Sequence, residues 1–172
     1  STDPKNEKFT AFEIGLNAYS DDGSLAGSLN LYSTTWSDRI ATRVVQNVDG
    51  DDDIIYLTGI NQVHNGVEAE FAAQLNDMFR VDIGFSLGNW TYTDDANGTY
   101  RDSDGSDDSY SYAIKDLKVG DSPQAGFNFG LTASPVEGSA IQAVYRYYGN
   151  HYADWDPTSR EYSEGESRDV SS

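Results

Sequence analysis

Apolar residues occupy every second position through most of this chain. From Gly66 to Gly88, one phase holds Val67, Ala69, Phe71, Ala73 and Leu75. After Asn76–Met78 the same phase resumes at Phe79, Val81, Ile83, Phe85 and Leu87. The other phase carries Glu68, Glu70, Ala72 and Gln74, then Arg80, Asp82, Gly84, Ser86 and Gly88, so every charge in the two runs lies on one side. A period of two means strands with one apolar face. The same pattern predicts strands at about 10–20, 25–46, 54–75, 79–93, 124–134 and 140–152. "SDDGS" supplies the Asp-Gly of a hairpin turn. "TTWSDR" predicts a bend or bulge in the second strand, and Gly59 or Gly66 a kink in the third. The polar run 94–120 reads as an exposed loop, and the polar tail from 153 as lying beyond the last strand.

The connections alternate in length. Short ones fall at 21–24, 76–78 and 135–138, and long ones at 47–53, 94–120 and from 153 onward. In an up-and-down meander this puts the short turns at one end and the long loops at the other. Outer-membrane barrels have that asymmetry. A soluble sheet with one buried face would alternate in the same way. Three features favour the membrane. Several strands exceed ten residues, longer than the usual five or six. The non-apolar phase is rich in Gly, Ala and Ser. Aromatics such as Tyr32, Trp36, Tyr56, Trp90 and Tyr148 gather near strand ends, as interfacial girdles do. One face then meets hydrocarbon, and each backbone polar group pairs with a neighbouring strand.

Composition narrows the partners. The chain has 172 residues, a net charge of -18 and 13% aromatics, enough for one aromatic-rich folded domain. Its 11 basic residues are scattered, which excludes nucleic acid as a partner. It has no cysteine, hence no disulfide framework or thiolate metal site. No apolar run reaches the roughly 18 residues of a transmembrane helix, whereas a transmembrane strand needs only about 9–11.

Several segments resemble the C-terminal half of a TonB-dependent receptor barrel. "PKNEKFTAFEIGLNAY", with Glu7, Lys8, Glu13, Ile14 and Gly15, is similar to a strand opening of that family. "LTGINQVHNGVEAEF", with Gly66, Val67, Glu68 and Glu70, is similar to its Gly-Val-Glu strand. "FSLGNWTYTDD", "KDLKVGDSPQ" and "VYRYYGNHYADWDP" resemble the forms found in Bacteroidota-type receptors. The resemblance spans nearly the whole chain. It implies an all-β fold, an antiparallel up-and-down transmembrane β-barrel segment of about six long strands in a barrel of about 22. It also implies that residues 1–172 are part of that barrel domain, a fragment without plug or terminal strand. The implied function is energy-coupled uptake of a siderophore, haem, cobalamin or glycan at the cell outer membrane. TonB, the plug domain, outer-membrane lipid and the ligand are the implied partners; no cofactor and no enzymatic activity are expected. The alternatives are a soluble secreted carbohydrate-binding β-sheet module and a small complete outer-membrane barrel.

Candidate chemistry is sparse. "YYGNHYADW" clusters Tyr148, His151, Tyr152 and Trp155, aromatics suited to sugar or chelate faces, and makes these four the ligand-contact candidates. Asp102, Asp104 and Asp107 form a carboxylate-rich loop that is a calcium candidate. Its Gly falls at the fourth position rather than the sixth of an EF-hand, and a solvated loop explains it equally. More than half of the acids fall in three segments at the long-loop end, forming an acidic rim. His64 and His151 are the two histidines, and no nucleophile-elbow motif accompanies them. Arg80, Glu68, Glu70 and Arg146 are expected to make ion pairs on the inner wall or toward a plug.

Overall fold

The computed structural model describes residues 6–46, 52–101, 107–157 and 161–162. It is all-β, with nine antiparallel strands. They are β1 (Lys8–Tyr19), β2 (Leu25–Gln46), β3 (Asp52–Gln74), β4 (Phe79–Tyr92), β5 (Ala96–Arg101), β6 (Asp107–Tyr112), β7 (Pro123–Ala133), β8 (Ile141–His151) and β9 (Glu161–Tyr162). No helix among the described residues is long and apolar enough to cross a membrane, a criterion that does not bear on strands.

The wall runs β1-β2-β3-β4-β7-β8. It is open, and among the described residues β1 pairs only β2 and β8 pairs only β7. The six predicted strands are these six, each within two residues of the expected ends. The predicted exposed loop 94–120 is different. β3 is long enough to pair β4 along Gln62–Gln74 and β5 along Ile54–Thr58. Both β4 and β5 are antiparallel to β3, so together they are one strand interrupted at Thr93–Asp95. Likewise β6 pairs β5 while β7 pairs β4, and β9 pairs β6 while β8 pairs β7. Three of the six wall strands therefore continue past a break into a small outer sheet.

Register carries one composition across the wall. Ile14, Leu31, Val67, Leu87 and Ala125 lie in one row. Phe71, Ile83, Phe129 and Tyr145 lie in another. Apart from the partly covered Val67 and Ala125, these side chains are exposed, from 36% at Ile83 to 59% at Tyr145. A contiguous apolar face of this extent on a folded sheet needs an apolar neighbour. Phe79 to Leu87 spans about 27 Å along the strand, roughly 20 Å of height after a 40° tilt, close to the band of an outer-membrane barrel. The opposite face carries Glu13, Glu68, Glu70, Arg80, Asp82 and Arg146.

The two ends differ. At one end the wall strands close in short turns. In the β1–β2 turn the Asp22 carboxylate accepts from Ser20 Oγ, Ser24 Oγ and Ser24 N, which lowers its pKa to about 2. Gly23 there has φ 70°, the left-handed region that suits glycine. In the β3–β4 turn Asn76 Oδ1 accepts from the N–H groups of Met78 and Phe79.

At the other end, β2 and β3 run on. At about 3.3 Å per residue such strands reach roughly 70 Å, twice the hydrocarbon thickness even when tilted. Two bulges adjust them there. On β2 the register slips between Trp36 and Arg39, at Asp38 with φ 57°. On β3 it slips between Ile60 and Leu57, at Gly59 with φ 71°. Each bulge adds one residue, so each strand reverses its inside–outside phase. The predicted bulge in "TTWSDR" is present, and of the two candidate kinks it is Gly59 that breaks the ladder, while Gly66 pairs regularly.

Candidate functional site

The buried core lies at the long-loop end of the polar face. It comprises Ile55, Leu57, Ile60, Tyr92, Ala96, Tyr112, Ile114 and Val119, with Trp90, Leu117 and Trp155 packed against it. The phase reversal at Gly59 is its cause. Ile55 and Leu57 share odd numbering with the outward-facing Val67 and Phe71, yet point to the polar face together with Ile60 and Gln62.

Two segments fold over this face. Residues 113–121 are fixed at their start by Asp95, whose Oδ1 accepts from Ile114 N at 3.0 Å and Lys115 N at 2.9 Å. They are fixed at their end by buried Gln124, which bonds both backbone groups of Trp90 and the carbonyl of Val119. The second segment, 152–157, lies on the first. Asp121 N donates to Tyr152 O at 3.0 Å, and Trp155 meets the Tyr112 ring at 5.8 Å. A Cβ on Gly120 would stand 2.5 Å from Asp154 N, so only glycine lets the two backbones meet. Asn61 ties the layers to the wall, accepting from Asp38 N at 2.8 Å and donating to Asp94 at 2.9 Å. The hydrogen bonds from Thr93 and Asn61 hold the Asp94 carboxyl below its usual pKa.

Beneath these segments lies a small cavity of about 120 Å³. Arg39, Arg43, Tyr92, Asp121, Asp154 and Trp155 line it, with Leu57 and Ile60 as its apolar floor. Arg43 is ion-paired to Asp154, whose other oxygen accepts from Trp155 N at 3.0 Å and Tyr92 Oη at 3.5 Å. Burial, then the Asp154 charge, raises the Tyr92 pKa and keeps its hydroxyl protonated. Arg39 lies 4.7 Å over the Trp36 ring, a cation–π contact. Next to it, His64 stacks on Trp90 at 5.0 Å and 14°, and Trp90 Nε1 donates to Tyr32 Oη at 3.0 Å. Tyr32 lies flat over Gly66, where a Cβ would come within 2.3 Å of its ring. Burial, then the positive charge of Arg39, lowers the His64 pKa and favours the neutral ring.

The sequence-derived residues are distributed unevenly over this geometry. Tyr148 lies on the polar face of the wall opposite Gly126, strongly exposed, and His151 ends β8 opposite Pro123. Tyr152 follows β8 and is half-exposed, and Trp155 packs into the core. The four do not form one surface. Asp102 and Asp104 lie outside the described residues, as do Asp49 and Asp51. Asp107 begins β6 opposite Arg101. Among the described residues no three His, Asp or Glu side chains could share a metal ion. On the wall, Arg80 pairs with Asp82 on its own strand at 2.7 Å rather than with Glu68 or Glu70, and Arg146 makes no ion pair among the described residues.

Sequence reasoning passed over Arg39, Arg43 and Asp154. Arg39 and Arg43 are four apart on one strand, hence on one face, in a chain with 29 acids and 11 bases. That conjunction was the available signal.

No curated protein and no solved structure matches the chain. The family described as TonB dependent receptor-like, beta-barrel, matches residues 3–169, almost the full length. With its apolar rows, charged inner face and unequal ends, this chain belongs to the TonB-dependent receptor-like β-barrel family, whose members serve TonB-dependent transport at the outer membrane.

Proposed function

We propose that this chain forms six adjacent wall strands in the C-terminal half of a larger transport barrel, of the kind found in Bacteroidota. The barrel takes up a scarce ligand, a siderophore, haem, cobalamin or glycan, with energy supplied through TonB. The observation that carries this reading is the two-faced register. Apolar rows cross all six strands on one side while carboxylates and arginines occupy the other. Lipid suits the first face and a water-filled or plug-filled lumen the second. Both open edges, β1 and β8, then pair with further strands of the barrel. The outer sheet and the two covering segments stand at the extracellular end, where ligand arrives. Tyr148 faces the lumen in this arrangement and remains a ligand contact, while Trp155 acts by holding the covering segment. Transport needs no chemistry from these residues, and no enzymatic role is assigned to them.

The absence of cysteine makes the test direct. Single cysteines at Phe71, Ile83 and Phe129 and at Glu70, Gly84 and Asn128 are introduced into the receptor in its outer membrane. The first three should react only with a lipid-soluble maleimide and the second three with a water-soluble one. Reversed labelling, or equal labelling of both sets, would overturn the arrangement.

A further inference from the structure

The cavity under the covering segments holds two arginines in unequal states. Arg43 is neutralised by Asp154. Arg39 stacks on Trp36 and makes no hydrogen bond or ion pair among the described residues, although a guanidinium offers five N–H donors. Both lie near Tyr92, whose hydroxyl is held protonated and can donate. The Asp154 carboxylate thus already occupies a cradle made of a guanidinium, a hydroxyl and a backbone N–H. Bidentate guanidinium contact is the usual recognition chemistry for a carboxylate. Asp154 is on segment 152–157, held by packing and a few hydrogen bonds rather than by the wall ladder.

Resting on the transport reading above, we infer that the transported ligand is anionic. One of its carboxylates binds Arg39 and, by displacing Asp154, Arg43. Asp154 is an internal stand-in for that carboxylate. Its departure unseats Trp155 and the covering segment, so binding of a carboxylate is coupled to opening the extracellular end. The apolar floor of Leu57 and Ile60 accommodates the carbon chain beside the charge. A neutral glycan satisfies neither arginine.

The test uses the receptor carrying this chain, purified from outer membranes in detergent and titrated calorimetrically with succinate. Neutral succinamide is the size-matched control. Succinate should bind and succinamide should not. Asp154→Asn, which removes the internal competitor's charge, should tighten succinate binding about tenfold, and Arg39→Gln should weaken it about tenfold or more. Arg39→Lys should retain part of the affinity. Succinamide binding as well as succinate, affinity unchanged by Arg39→Gln, weaker binding by Asp154→Asn, or no succinate binding by either the unaltered receptor or Asp154→Asn would each overturn the inference. Heat-modifiable migration of every variant reports barrel folding independently. A receptor that folds and inserts but ignores succinate defeats this inference alone, whereas one that never enters the outer membrane defeats the transport reading itself.

Discussion

Ile83 sits mid-wall on the apolar face, with Phe71 and Phe129 beside it in register. Ile83→Arg places a charge against hydrocarbon and should cost about 2–4 kcal/mol near the midplane. Glu70→Leu, one row away on the other face, should leave insertion intact. Folding titrations into lipid vesicles compare the two, and equal effects would mean the faces are not distinguished by solvent. His64 makes a second residue-scale prediction. Its folded pKa is lowered, so the unfolded chain binds a proton that the folded ring resists, and stability rises with pH. The outer end should therefore be fully stable above about pH 6.5 and loosen as pH falls below it. Hydrogen exchange of Tyr92 and Trp90 amides at pH 7 and 5 measures this, and His64→Asn should flatten the difference.

Among the elements, the buried core at the long-loop end lies beyond the apolar rows of the wall. Tyr112 is fully buried against Gly98, Ile55 and Trp155. Tyr112→Ala should remove about 3–5 kcal/mol of local stability. The expected result is faster proteolysis within 94–121 and 152–157 while the wall stays protected and inserted. Loss of insertion would show that the wall depends on this core. Gly120→Ala tests how the covering segment is seated. The added Cβ meets the backbone of Ala153 and Asp154 at 2.5–2.6 Å, where no side chain can swing aside. The segment should lift, quenching of Trp155 should change, and its protection should fall below that of β8.

For the whole molecule, among the described residues the wall leaves β1 and β8 unpaired along one edge each and exposes one apolar face. Edges and faces of this kind recruit other strands and aggregate in water. The 172 residues expressed alone should therefore need detergent and self-associate. The same residues within the receptor should be protected along β1 and β8. A soluble, monomeric 172-residue chain would argue for the rival secreted module. The described carboxylates of the wall, Glu13, Glu68, Glu70 and Asp82, lie on the face opposite the apolar rows, so the charge of -18 is compatible with membrane insertion.

Alternation alone was sufficient for the six wall strands, for which face is apolar and for which end has the long loops. Those features depend on neighbours two residues apart, and Phe79, Val81, Ile83, Phe85 and Leu87 display them in plain order. The composition of "DDANG" and "SYSY" gave no such order. Asp94 and Asp95 act there as hydrogen-bond acceptors that break and re-aim a strand, and Tyr112 acquires its burial from the distant Ile55, Gly98 and Trp155. Polar turn residues read as an exposed loop because their partners are far away in the chain. Arg39, Arg43 and Asp154 were illegible as a group for the same reason, with Arg43 and its carboxylate 111 positions apart in the chain. The decisive step was a pair of one-residue bulges at Asp38 and Gly59. Each reverses the period-two phase, turning Ile55 and Leu57 from the side of the apolar rows into the buried core. A bulge is set by pairing between strands, and so it belongs to the fold rather than to any local pattern.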